Sequence, residues 1–257
     1  MNFVKLGYMA FREVIATSAA KPFPALRRVL GETDYVALYD AFAARRQQDD
    51  YDAIHAVRFR ETVKAFGPYL EAATSIIELG GHGRIGLFAQ DRFGTQYSSY
   101  ENELREPYNL PTAGFDVVLC LEVIEHMKDR PSLEGDQNDI ACWNYSGAVN
   151  LLSESHRILK PGGVLLVTTP NATSLDSIKC ILAGDHPFMF DPHVRELAPK
   201  QVKAFAEHVG FTLEKFGTFF AWTECSNELR QKIAKMITDL GFDASNRGDD
   251  AYYVFRR

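Results

Sequence analysis

The sequence predicts an α/β fold, a doubly wound and mostly parallel sheet with a helical cap before its first strand. Three segments carry that expectation. Residues 151–171, LLSESHRILKPGGVLLVTTPN, read as a helix, a glycine turn and a buried strand that ends in polar residues. Residues 75–87 read as a short buried strand, a glycine-rich turn and a helix, and residues 115–127 as a strand running directly into acids and a histidine. Unbroken apolar runs of this length suit strands covered on both faces, and helical crossovers are what keep such strands parallel.

Taken in order, residues 1–74 read as mostly helical, with stretches at 4–16, 25–30, 34–46 and 52–70 and a break at Pro22 and Pro24. They form the expected N-terminal helical cap, and residues 75–257 the sheet domain. A strand at 76–79 leads into Gly80, Gly81 and Gly83, and a helix-compatible run begins at Arg84. A glycine turn at a helix start lets backbone N–H groups approach a ligand, and the positive end of the helix dipole favours an anion there; an ordinary strand-to-helix turn has the same composition. One extended stretch follows at 95–100, then the acids Glu101, Glu103 and Glu106.

The strand at 117–121 is followed at once by Glu122, Glu125 and His126. If a helical turn begins there, Glu122 and His126 share a face. Residues 129–150 are rich in Pro, Gly, Asp and Asn and read as a loop at the carboxyl end of the sheet, where ligands sit in open α/β folds. Trp143 and Tyr145 in it either face an acceptor or pack on the body. The next helix carries Leu151, Leu152, His156, Ile158 and Leu159 at helical spacing, with Lys160 in its last turn and Pro161 as its stop. Gly162 and Gly163 permit the reversal into an apolar run at 164–167, which ends in Thr168, Thr169, Pro170 and Asn171. Residues 182–197 hold His186, Phe188, Phe190, His193 and Arg195, a set that suits a sugar, phenol or planar acceptor and equally a hydrophobic plug. A strand at 211–222, a helix at 227–240 and a strand at 251–255 complete the chain.

With 257 residues, 46% of them hydrophobic, the chain can bury one sizeable core, and one domain with additions is the economical count. A net charge of −6 argues against a nucleic-acid footprint, so the pairs Arg27-Arg28, Arg45-Arg46 and Arg256-Arg257 read as solvated faces. No apolar run approaches a membrane span, and Lys5, Arg12 and Glu13 interrupt the hydrophobic start, so neither a signal peptide nor an anchor is expected. Cys120, Cys142, Cys180 and Cys225 are widely spaced, which favours reduced thiols and a cytoplasmic location. The histidines and acids show no metal-ligand spacing, and a metal-free site is expected.

FDVVLCLEVIEHM and LLSESHRILKPGGVLLVTTPN resemble the fourth- and fifth-strand signatures of class I S-adenosylmethionine-dependent methyltransferases, and SIIELGGHGRIG resembles the first. HVRELAPKQVKAFAEHVGF is similar to the helix and glycine before the sixth strand, and the resemblance spans about residues 75–215. It implies a Rossmann-like sheet, an antiparallel last strand at YYVF and S-adenosyl-L-methionine as cofactor. In the family pattern an acid, one residue and then alternate glycines wrap the methionine end. Glu78 and Gly80 fit, but His82 and Arg84 stand at glycine positions and Gly81 and Gly83 fall between, so the turn is either strained or shifted in register. The family also places two strands and two helices between Leu87 and Gly114, a span of 28 residues counted inclusively. That is too short for them, and the sheet is expected to be trimmed at one edge.

By the same resemblance Glu101 is expected on the ribose hydroxyls and Glu103 near adenine, with Leu104, Leu121 and Glu122 completing the cofactor contacts; a solvated acidic loop is the alternative for the two acids. Methyl transfer to a hydroxyl requires removal of a proton, a task for a neutral histidine. His126, oriented by Glu122 or Glu125, is the first expectation and His193 the second, with transfer by proximity and no protein base as the alternative. The resulting reading is O-methylation of a small molecule or a sugar or glycan. N-methylation of an amino-sugar, a quinone or phenol acceptor, and a non-catalytic partner subunit are its rivals. The exposed edge of a trimmed sheet further suggests a homodimer.

Overall fold

The computed structural model describes residues 33–46, 49–81, 83–129, 145–222 and 225–257. The helices expected at 4–16 and 25–30, together with His82, Cys142 and Trp143, lie outside the described residues.

Six strands make one sheet: β1 (Ser75–Leu79), β2 (Gln96–Tyr100), β3 (Phe115–Leu121), β4 (Leu159–Pro170), β5 (Thr212–Phe219) and β6 (Asp250–Arg256). Their order is β2-β1-β3-β4-β6-β5; the first four are parallel, and β6 runs antiparallel to both β4 and β5. β2 is the edge strand and the one strand between β1 and β3, so the trimmed edge and the antiparallel end are both present. The alternation of side chains along a strand explains why the runs are unbroken. Ile77, Val118, Leu165 and Tyr253 point to one face, under helices α5 (Ser146–Ile158) and α7 (Pro199–His208). Ile76, Leu119, Leu166 and Val254 point to the other, under α1 (Tyr35–Ala43), α3 (Ala56–Ala72) and α4 (Arg84–Phe93).

The single helix expected at 52–70 is two. A capping box between Asp49 and Asp52 starts α2 (Asp50–Ile54), and His55 leaves helical geometry at ψ 8° before α3 begins. The helix expected to include Leu159 and Lys160 ends at Ile158. Its last carbonyls are taken by the chain entering β3, Ala113 N–H donating to Arg157 O and Gly114 N–H to Ile158 O, and Leu159 already pairs with Phe115. Lys160 instead reaches Asp116 at 2.8 Å. After β4 come α6 (Leu175–Ala183) and α7, and α8 (Asn227–Asp239) lies between β5 and β6.

Asp116 ties three strands at their starts. One carboxylate oxygen accepts from the backbone N–H groups of Thr74 and Ser75 and from both their hydroxyls, and the other accepts from Lys160. Burial alone would raise this carboxyl, but Lys160 and the Thr74 and Ser75 donors outweigh it and hold it well below the usual carboxylate range. Asp116→Ala is therefore expected to lower the unfolding free energy by about 2–3 kcal/mol at neutral pH in urea titrations. Because the folded value is depressed, the wild-type advantage is full above the unfolded carboxyl pKa near 3.9 and is lost as pH falls below it. A gap that stays constant from pH 7 to pH 2 would refute this account.

Candidate active site

The carboxyl ends of β1, β3 and β4 converge on one crevice. Past Leu79 the chain turns at Gly80 (φ 62°) and Gly83 (φ 75°), and Arg84 is the first residue of α4. Among the described residues of the turn the left-handed positions are the glycines Gly80 and Gly83, and Arg84 is helical, so its side chain carries no backbone strain. Glu78 braces the turn from beneath: its carboxylate accepts from Gly83 N–H at 3.3 Å and from the Tyr97 hydroxyl at 3.0 Å. Burial pushes the Glu78 carboxyl up, opposed by those same two donors. A Cβ on Gly81 would stand 1.9 Å from Glu78 Oε1. The Arg84 guanidinium turns toward α2, donating to Asp52 and, at 2.9 Å, to Asp49. It lines a separate cavity of about 120 Å³ and leaves the main crevice open.

The polar cluster comes from the end of β3. Glu122 takes a left-handed backbone (φ 56°), its N–H held by Thr168 O of β4, and a single 3₁₀ turn (Ile124–His126) follows. The expected helical face shared by Glu122 and His126 does not form, because the positive φ breaks the helix before it starts. A left-handed glutamate is uncommon and costs about 1 kcal/mol or more, which marks the position as one over-determined by its surroundings. Glu125 is fully buried. Its Oε2 accepts from the Thr169 hydroxyl at 2.9 Å, and its backbone carbonyl accepts from Val194 and Arg195 N–H, drawing the 193–196 segment onto the site.

That tie brings His193 against His126, ring centroids 4.8 Å apart. Glu125 Oε1 lies 3.8 Å from His126 Nε2, while His193 Nδ1 bonds Glu196 Oε1 at 2.7 Å. Burial pushes the Glu125 carboxyl up to about 7, against the Thr169 hydroxyl and His193. Burial, and then the neighbouring His193, lower His126 below the usual histidine value. Glu125, His126 and His193 thus form a donor set, each offering one ligand atom within 4.8 Å of the others, that the expectation of a metal-free site did not assemble.

A cavity of about 500 Å³ opens over these groups, a volume suited to a small organic ligand. Its floor holds Gly80, Leu121, Glu122, Glu125, His126 and Pro170; Phe188, Met189, Phe190 and His193 form one wall. Phe188, Phe190 and His193 of the 182–197 segment thus line the cavity. The lining also holds residues not singled out from the sequence: Tyr51, His55 and Arg58 from the helices before β1, with Trp222 after β5. Arg58 is buried, donates to the Tyr51 hydroxyl at 2.8 Å and lies 3.6 Å from Glu122 Oε2. The signal for it is a charge set among the buried Phe59, Thr62 and Val63 of one helix.

Other expected site residues stand beside the cavity and not in its lining. Gly80 N–H donates to Tyr100 O at 2.9 Å, so Glu101 follows directly on the residue that anchors the glycine turn, and it is exposed. Leu104 packs against Gly80, whereas the Glu103 carboxylate is clasped by Arg105 at 2.6 and 2.8 Å. Tyr145 packs on the body, 4.7 Å from the Phe205 ring and beneath Arg195.

A sheet of this order with a glycine turn after β1 and its ligand crevice at the strand ends defines a Rossmann-like nucleotide-cofactor fold. Residues 17–215 match the family model described as a methyltransferase domain, and the chain belongs to that family. Over 106 residues it is 33% identical to a protein of Mycolicibacterium smegmatis named "Probable S-adenosylmethionine-dependent methyltransferase"; the match covers 41% of this chain and 32% of that relative, so the chain spans about a third of its length. The crystal structure of a SAM-dependent methyltransferase from Archaeoglobus fulgidus superposes with a TM-score of 0.52 at 16% identity, covering 85% of this chain and 99% of that one, a likeness of fold. No helix among the described residues is long and apolar enough to cross a membrane.

Proposed function

We propose that the chain methylates a hydroxyl of a small molecule or sugar with S-adenosylmethionine as donor. The observation that carries this reading is one cavity lined both by Gly80 and by Glu125, His126 and His193. The residues present fit the cofactor. Gly80 and Gly83 bring bare backbone close to the crevice, α4 starts there without a side-chain cap, and Glu101 stands exposed next to the turn. When bound, the cofactor supplies an electrophilic methyl carbon on a sulfonium.

The chain's own residues do the rest. Glu101 takes the ribose hydroxyls, Glu103 and Leu104 flank adenine, and Leu121 with Glu122 border the reacting end, where carboxylates suit a cationic donor. His126, backed by Glu125 and His193, sits where the acceptor hydroxyl must lose its proton. Phe188 and Phe190 hold the acceptor ring and exclude water. A phenolic or quinol acceptor is the second reading, favoured by the apolar wall of Phe188, Met189, Phe190 and Trp222. Calorimetric titration of the purified chain is expected to show one S-adenosylmethionine site, and no heat at millimolar cofactor would remove the proposal. Product mass with sugar, phenol and amine acceptors then separates the alternatives, and turnover on any of them excludes a non-catalytic partner role.

A further inference from the structure

We infer that Glu125, His126 and His193 bind a divalent first-row transition-metal ion in the wall of the cavity. The inference rests on the proposed methyl transfer for the ion's use, but not for its binding. One ligand atom from each of the three residues falls within 4.8 Å of the others. Donors at about 2.0–2.2 Å from one ion stand roughly 3–4 Å apart, and Glu125 Oε1 and His126 Nε2 are already at 3.8 Å.

Two further features point to a cation. Glu125 Oε1 is buried with no hydrogen-bond partner among the described residues, while Oε2 of the same carboxylate is held by Thr169. Buried polar atoms are rarely left unsatisfied, and a metal ion satisfies this one. Glu122 Oε1, on the same floor, is also buried and unpartnered. In addition, His193 carries the outer support that metal-bound histidines have: Nδ1 is engaged by the Glu196 carboxylate, itself fixed by Met189 N–H, which leaves Nε2 as the nitrogen able to bind an ion.

Two imidazoles and one carboxylate favour zinc, iron, cobalt or manganese over calcium, and three protein ligands leave positions open toward the cavity. With the ion bound, His126 and His193 are ligands in place of the base role proposed above for His126, and an acceptor hydroxyl taken up at an open position is made more acidic and loses its proton to solvent through the open mouth of the cavity. No electrons are transferred and the ion keeps its charge.

The test is metal binding to the chelator-stripped full chain, without cofactor or acceptor. Cobalt(II) and zinc(II) titrations are expected to saturate at one ion per chain. The cobalt form should show paramagnetically shifted N–H resonances from histidine ligands, a reading that needs no variant. Glu125→Gln and His193→Ala are expected to weaken binding at least about 100-fold and Glu196→Gln about 10- to 100-fold, while His208→Ala on the exposed end of α7 leaves it unchanged. No uptake by the wild type at millimolar ion, or one-to-one binding that survives in folded Glu125→Gln and His193→Ala, overturns the inference. Because S-adenosylmethionine binding is measured separately, a metal-free chain that still binds cofactor sinks the ion and leaves the methyltransferase reading standing.

Discussion

Gly81→Val is expected to weaken S-adenosylmethionine binding at least about 100-fold, some 2.7 kcal/mol, in a chain that still folds. The reason is local. A Cβ at this position lands 1.9 Å from Glu78 Oε1 and 2.5 Å from its carboxyl carbon. Glu78 has no cheap retreat, being buried and bonded to Tyr97 and Gly83. The backbone must move instead, and Gly80, which faces the cavity, moves with it. Gly94→Ala is the control for strain without a clash. Gly94 is left-handed, φ 74°, which Gly81 is not, and nothing lies within 4 Å of its would-be Cβ, so the change costs about 1 kcal/mol of stability and no affinity. Shortening the brace should restore part of the loss, so Glu78→Ala combined with Gly81→Val is expected to bind more tightly than the sum of the single changes allows. Calorimetry on the four proteins checks this. Wild-type affinity in Gly81→Val would mean that the turn does not hold the cofactor.

The strands β1, β3 and β4 were legible because they are buried on both faces, which leaves an unbroken apolar run such as Val117 to Cys120. Glycine turns were legible in place but not in register: composition says that a turn occurs, whereas only the chain path shows that the left-handed residues are Gly80 and Gly83. Lys160 and Pro161 look like a helix stop, but the terminator of α5 is long-range, the chain around Gly114 supplying the capping N–H groups. The site divides in the same way. Glu122, Glu125 and His126 are adjacent in sequence and were found together. His193 reaches them through the Glu125 carbonyl and the Val194 and Arg195 N–H groups, with Arg195 also on Asp129, contacts between segments some seventy residues apart that no spacing rule encodes. Arg58 and Trp222 come from opposite ends of the chain; the local signal for Arg58 is only its charge among the core-facing residues of its helix, and nothing local distinguishes Trp222 from an ordinary packed residue.

Arg230→Ala is expected to cost about 3–5 kcal/mol of stability, or roughly 6–20 °C in melting temperature for a chain of this size. Arg230 is 7% exposed and forks onto Asp176 at 2.8 and 2.6 Å, while the same guanidinium reaches Asp249 at 3.2 Å and Trp222 O at 2.9 Å. Asp249 in turn accepts from Ala221 and Trp222 N–H. Removing the cation leaves buried carboxylates facing one another and frees the Trp222 carbonyl. Burial already pushes the Asp249 carboxyl up to about 6, with the Ala221 and Trp222 N–H groups and Arg230 pulling against it. A buried acid with a raised folded value loses stability as pH rises through that value, and without Arg230 less opposes the rise. The deficit of the variant should therefore be larger at pH 8 than at pH 5. Arg230→Lys keeps the charge but not the planar fork, and should fall between the two. The same variants test the cavity wall, because Trp222 faces it and meets His55 with ring centroids 5.0 Å apart. At a temperature where Arg230→Lys is fully folded, acceptor KM should rise while cofactor affinity, set at the Gly80 turn, stays near the wild-type value. A melting temperature of Arg230→Ala within about 2 °C of wild type would show that these ion pairs do not hold the wall.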